Sequence, residues 1–416
     1  MNIEKALFWY VATLVTLSLI AWQVIFVRGQ FLGMDFPYNT FLYIQSVQFS
    51  DFTIFDPLIR AWLDGEITRV TSFIGRLDGD PNLVIYTPVT TYGFLFFHLL
   101  YPDNPVYAYL LTVLLTVCAA GAILGHVLRH SPIARMFWAT IILTILTSYP
   151  FMIMFDRANI EGVLFPFLLL GTISFINHRF FMAGIFFAIA ASMKYYPGVL
   201  LLILLSKGKY KEFVFSVFFL LLISVIAAYG LNGGISNTYC SIYNGLSWFT
   251  DVAVLVRYNL GWEHTLFGLI KQIMFILGME SQINYANVAY LYKYAVAFIF
   301  FLLYITSIRK LPFLNQLFAL TILSILLPFF SGDYTLIHLY IPWGLFVVFL
   351  AYHAESTGFT TKQVLNILIP CAIIFTPQSY LIIEGVGGFG GQLKTLTLIF
   401  LLGVILLNPM KMKGID

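Results

Sequence analysis

Long apolar runs and short polar connectors alternate along this chain. Ten runs are long enough, at about 20 residues each, to cross a bilayer as helices. They lie near 6–27, 107–128, 133–155, 160–177, 213–231, 288–308, 313–330, 337–354, 364–383 and 393–408. A further run, Phe180–Leu205, contains a single charge, Lys194, and a helix-breaking Pro197 three residues later. A lysine near the bilayer centre costs about 2.5–3.5 kcal/mol on insertion scales, so its retention needs a reason.

Cationic residues outside the runs set the orientation. Twelve of the 22 Lys and Arg, from Lys5 to Lys413, fall on one side, which places both termini in the cytoplasm. Arg179 and Lys207 can share that side only if 180–205 enters and leaves from it, turning at Lys194–Pro197. The pattern therefore predicts a re-entrant hairpin whose non-helical tip is buried in protein or lines a cavity. The competing form is a kinked through-span whose lysine snorkels to one surface.

Two loops fall on the opposite face, 28–106 and 232–287. The stretch "LVIYTPVTTYGFLFFHLL" (83–100) and the run 265–279 are read as interfacial helices, since counting the first as a span would move Arg129 and Arg135 outside. The first run lacks a small-residue cleavage site and reads as a retained helix. With no internal repeat or linker, residues 1–416 form a single membrane domain.

Composition sharpens this pattern. Hydrophobic residues make up 60% and charged residues 10%, against about 25% charged in soluble domains. The fold class is an all-α polytopic membrane protein, with the lipid bilayer as its first partner. The net charge of +3 forms no basic stripe, which excludes nucleic acid. Cys118, Cys240 and Cys371 are far apart and the seven histidines lack close ligand spacing. Neither a disulfide framework nor a metal or cofactor site is expected.

Three polar clusters fall on the outer face. "FLGMDFPYN" (31–39) puts Asp35 just beyond the first span, where a carboxylate can act as general base toward a hydroxyl or merely cap a turn. The first loop holds seven more acids: Asp51, Asp56, Asp64, Glu66, Asp78, Asp80 and Asp103. "FDRANIEG" (155–162) packs Asp156, Arg157, Asn159 and Glu161 into six positions, more polar groups than a tight turn needs and suited to an acceptor hydroxyl, a sugar or a phosphate. "FSGDYTLIHLYIPW" (330–343) holds Asp333 in a loop and His338 about one turn into a span, where it either satisfies the bundle or meets an anion.

The order of these features resembles the C-type glycosyltransferases that use polyprenyl-phosphate sugars, in particular family-87-like members. The resemblance runs from about 30 to 343: an Asp-bearing first loop, "YTP", an acidic second loop, "K-Y-x-P" and a late "SGD…H…P". It implies a bundle of about ten transmembrane helices with a re-entrant hairpin. It implies Asp35 as catalytic base, Lys194 with Tyr195 and His338 on the donor phosphate, and Asp156, Arg157, Asn159, Glu161 and Asp333 toward the acceptor or sugar. The buried lysine would then have the ligand as its partner. The late motif often reads "SP" before the histidine in that family and is "SGD" here, so the resemblance does not fix the register at Asp333.

A narrower similarity is to phage-type serotype-converting glucosyltransferases. It implies undecaprenyl-phosphate glucose, or mannose, as donor and an O-antigen or lipid-linked saccharide as acceptor. The site would face the periplasm across a bacterial inner membrane, with a flippase and a polyprenyl-phosphate glycosyltransferase as functional neighbours. Two rivals remain at this level. An O-antigen polymerase or ligase would lean on loop arginines, and only Arg257 lies near the second loop's centre. A flippase or transporter would show matching broken helices in two halves, and one break is visible.

Overall fold

The computed structural model describes residues 49–53, 86–127, 148–231, 234–255, 263–279, 285–353, 360–376, 382–383, 387–388 and 390–410, with Tyr10, Ala12, Leu14 and Ile145 singly. Asp35 and most of the runs 6–27 and 133–155 lie outside them. The helices are α1 (Ser50–Thr53), α2 (Pro88–Leu100), α3 (Pro105–Val127), α4 (Tyr149–Asp156), α5 (Glu161–Ile176), α6 (Phe180–Met193), α7 (Leu202–Ser206) and α8 (Tyr210–Gly230). They continue with α9 (Gly234–Phe249), α10 (Leu266–Ile276), α11 (Tyr285–Thr306), α12 (Phe313–Leu326), α13 (Tyr340–His353), α14 (Thr361–Phe375) and α15 (Gly390–Leu407). Tyr196–Leu201 and Asp333–Leu339 are 3₁₀ segments, and Ile382–Ile383 pairs antiparallel with Gly387–Gly388.

This is an all-α polytopic membrane protein. Among the described residues, five helical segments are long and apolar enough to cross a bilayer: Pro105–Ile123, Tyr210–Gly230, Ala286–Lys310, Asp333–Leu350 and Gly390–Leu407. Apolar exposure and buried charge occur together in this protein. α8 exposes Val214, Phe218, Leu221 and Ile226, while Glu263, Lys271, Asp333 and Lys394 are buried. Large exposed apolar surface beside buried charge is stable only where lipid is the solvent.

The chain divides into two compact units, 1–44 with 117–154 and 259–416, and 45–116 with 155–258. In the second unit α6 packs against α5 and α8. A side chain at Gly184 would overlap Ser216 of α8, so the small residue permits this approach. Past Met193 the chain doubles back on α6. Gly198 lies against Ala191, Leu204 against Gly184, and the Lys209 ammonium sits 4.1 Å from the Phe180 ring centroid. Residues 180–209 thus have the form of a hairpin with Lys194 at its tip.

The two short apolar stretches are short helices. α2 has 13 residues and α10 has 11, lengths of about 20 and 17 Å that fall short of a hydrocarbon core of about 30 Å. α10 buries Lys271 and Gln272 and exposes Ile273 and Ile276. In the first unit α15 packs against α10, α12 and α14. A Cβ at Gly391 would strike the Glu263 backbone, so glycine is required where α15 meets the start of α10.

Candidate active site

At the hairpin tip α6 ends because Lys194 turns extended, with φ −141° and ψ 140°. Pro197 at the start of the following 3₁₀ segment prevents the helix from resuming in register. The break frees the Met193 carbonyl. Two buried threonines take it up: the Thr87 hydroxyl donates at 2.8 Å and the Thr90 hydroxyl at 2.6 Å. Thr87 also caps α2 through the Thr90 N–H. The "YTPVTT" stretch therefore clamps the residue next to Lys194.

The lysine itself already has a protein partner. Its ammonium donates to Glu161 Oε1 at 2.5 Å, and the Tyr196 hydroxyl donates to Glu161 Oε2 at 2.6 Å. The Tyr86 ring centroid lies 5.8 Å from the same ammonium. The Glu161 side chain is fully buried, whereas that of Lys194 keeps 18% exposure. The ligand was expected to explain the buried lysine, and in this structure Glu161 neutralises it. Tyr195 points elsewhere and is 60% exposed; its neighbour Tyr196 joins the cluster.

The "FDRANIEG" turn splits its polar groups between two tasks. Arg157 grips Asp51 through Nε at 3.1 and 3.2 Å and Nη2 at 2.8 Å. Asn159 donates to Asp51 Oδ2 at 2.6 Å and accepts the Glu161 N–H at 3.0 Å. The Tyr109 hydroxyl donates to the Asn159 carbonyl at 2.5 Å. Asp156 is buried, and its carbonyl accepts the Phe49 N–H at 2.7 Å. Phe49 and Ala158, neither of them glycine, hold φ of 58° and 49°. Such left-handed residues persist only where surrounding contacts impose them. Phe52 supplies part of that pressure, seated among the rings of Phe94, Phe97, His98 and Tyr109.

The other unit builds a second buried polar cluster. Lys394 Nζ lies 2.5 Å from Asp333 Oδ1, and His264 Nδ1 lies 3.6 Å from the same oxygen. His264 Nε2 is within 3.2 Å of Ser331 Oγ and 3.3 Å of Thr335 Oγ1. Beside them Lys271 pairs with Glu263 at 2.7 Å, and the Thr265 hydroxyl donates to that carboxylate at 2.8 Å. Burial pushes the Glu263 carboxyl up, against the pull of Lys271 and the hydroxyl. Asp333, expected in a loop, opens the 3₁₀ segment and is buried. His338, also buried, follows Thr335 by three residues, one turn of that segment.

Several partners in these clusters were not legible in the sequence. Asp51 was one acid among eight, and nothing local singles it out. Thr87 and Thr90 carry a helix-start signature without any hint of a carbonyl 106 and 103 residues away. Lys394 was detectable, because it is a charge within an apolar run just as Lys194 is. Among the described residues, no group of three or more His, Cys, Asp or Glu side chains could hold a metal ion.

Residues 84–331 match the family model of glycosyltransferase family 87, more than half of the chain. No curated protein and no solved structure matches it.

Proposed function

The chain belongs to glycosyltransferase family 87 and is a membrane-embedded glycosyltransferase, and from this premise we propose that its donor is a polyprenyl-phosphate hexose bound at Lys194. The carrying observation is an ammonium that stays partly open at a helix break after Glu161 has neutralised it. A lysine ammonium has three N–H donors. Glu161 accepts from it, and a phosphate oxygen would approach over the exposed part of the side chain.

In this reading the acceptor hydroxyl oxygen attacks the anomeric carbon as the carbon–oxygen bond to the lipid phosphate breaks. The phosphate departs with the electron pair, and Lys194 stabilises the charge that grows on it, often the largest catalytic contribution. Asp35 takes the hydroxyl proton. It lies outside the described residues, and His338 belongs to the other unit, so the parts proposed for these two rest on the resemblance. Arg157 and Asn159 act one step back from the acceptor by holding Asp51, while the ligand contacts proposed for Tyr195, Asp156 and Asp333 rest on the resemblance alone. Glucose is the favoured hexose, O-antigen or a lipid-linked saccharide the acceptor, and the periplasmic face of a bacterial inner membrane the location. A flippase and a polyprenyl-phosphate glycosyltransferase would supply the donor.

The test incubates the purified protein with labelled polyprenyl-phosphate glucose or mannose and candidate glycans. Transfer should occur, and Asp35→Asn should lower its rate by roughly 10²–10⁴ without loss of expression or insertion, the usual worth of a general base. Near-normal transfer by a folded Asp35→Asn protein removes that residue from the mechanism. Transfer from a diphosphate carrier alone would favour a polymerase or ligase.

A further inference from the structure

Tyr86 stands in a position that the phosphate reading does not use. Its ring centroid is 5.8 Å from the Lys194 ammonium, and its side chain is only partly buried. The next residue, Thr87, donates to the carbonyl of Met193, the residue just before Lys194. A second hydroxyl, from Thr90, reinforces the same carbonyl. Two chain positions about a hundred residues apart are thus tied side by side, and the Tyr86 ring and the lysine are carried on adjacent residues of the tie.

We propose that Tyr86 is the platform for the transferred sugar, a pyranose subsite beside the phosphate contact. This rests on the reading of Lys194 as the donor-phosphate group. In a lipid-phosphate sugar the anomeric carbon is joined to that phosphate through one oxygen. A pyranose whose phosphate meets Lys194 therefore starts within one bridging oxygen of it, in the neighbourhood of the Tyr86 ring. Pyranoses present a face of C–H groups that packs flat on aromatic rings, whose faces carry partial negative charge. The ammonium donates to Glu161, and the Tyr196 hydroxyl donates to the same carboxylate; the part left for the Tyr86 ring is stacking. The ring would favour hexoses that offer an unbroken C–H face, so it is a specificity-determining residue for the donor.

The experiment measures affinity of the purified full-length protein in nanodiscs for two probes, polyprenyl phosphate and polyprenyl-phosphate glucose. The ratio of the two dissociation constants is the sugar's own contribution. Tyr86→Ala should cut that ratio roughly three- to tenfold while leaving the bare lipid phosphate bound as in wild type. Tyr86→Phe and Tyr86→Trp should keep it, because each retains a ring. Should Tyr86→Ala fail to fold, Tyr86→Leu preserves bulk without a π face and is expected to show the same selective loss. Equal weakening of both probes would mean that the ring serves the lysine alone and would overturn the platform; so would no weakening of either. Lys194→Met separates the two readings. If it binds the bare phosphate as wild type does, the lysine reading itself falls. If it loses that binding while Tyr86→Ala keeps the sugar increment, only the platform falls.

Discussion

Lys194 and Glu161 form a pair in which the carboxylate is fully buried and the lysine keeps 18% exposure, and their free energies are coupled. Removing one partner of a buried ion pair costs about 3–5 kcal/mol, because a charge is left uncompensated, whereas replacing both is often neutral. A phosphate contact yields about 1.5–3 kcal/mol, too little to draw the lysine away from Glu161, so ligand and carboxylate share the ammonium. Lys194→Met should then lower the thermal midpoint, and Lys194→Met with Glu161→Gln should recover most of the loss. Neither protein should transfer sugar. Wild-type transfer by the recovered double variant would make the pair scaffold and place the phosphate elsewhere. At this scale the sequence was readable wherever cost is local. A charge in an apolar run announces itself, as Lys194 did and Lys394 should have. Asp51, Thr87 and Thr90 have ordinary local surroundings, and their roles depend on partners more than a hundred residues away.

Elements were more legible than residues, because hydrophobic runs and charge placement are summed over many positions. Most expected spans that fall within the described residues have a helix close to their bounds, among them α3, α8, α11 and α15. Less legible was Asp333–Leu339, expected as a loop followed by a helix and found as a 3₁₀ segment. Its first residue is bound to Lys394, a tertiary tie that local propensity does not contain. The folded-back course of 180–209 makes a topological prediction. After Cys118, Cys240 and Cys371, all free, are replaced, single cysteines at Asn177 and Ser206 should react with a membrane-impermeant thiol reagent from the same side. Labelling from opposite sides would turn the hairpin into a through-span.

Among the described residues, large apolar side chains lie exposed on α3, α8 and α11 while Glu263, Lys271, Asp333 and Lys394 are enclosed, the arrangement expected where lipid replaces water as solvent. The enclosed pair Asp333–Lys394 is the sharpest case, with both side chains at most 1% exposed. Lys394→Met should cost about 3–5 kcal/mol, and adding Asp333→Leu should return most of it. A double-mutant cycle on thermal midpoints in lipid measures the coupling. Equal destabilisation of single and double variants would deny it. Transfer by the double variant would also free Asp333 from any part in sugar contact.

Asp333 and Lys394 lie 61 positions apart in the chain, and α15 carries the later of the two. Synthesis runs in one direction, so the acid is made before its lysine exists. Until α15 is made, the growing protein holds a carboxylate in an apolar setting with its future cation still untranslated. That interval gives the bundle an order of assembly, in which a later-made helix fastens elements laid down earlier. A ribosome that stops before Gly390 would release a chain whose apolar spans can insert but whose interior lacks its closing charge. Such a chain would keep Asp333 without the cation that Lys394 brings to it.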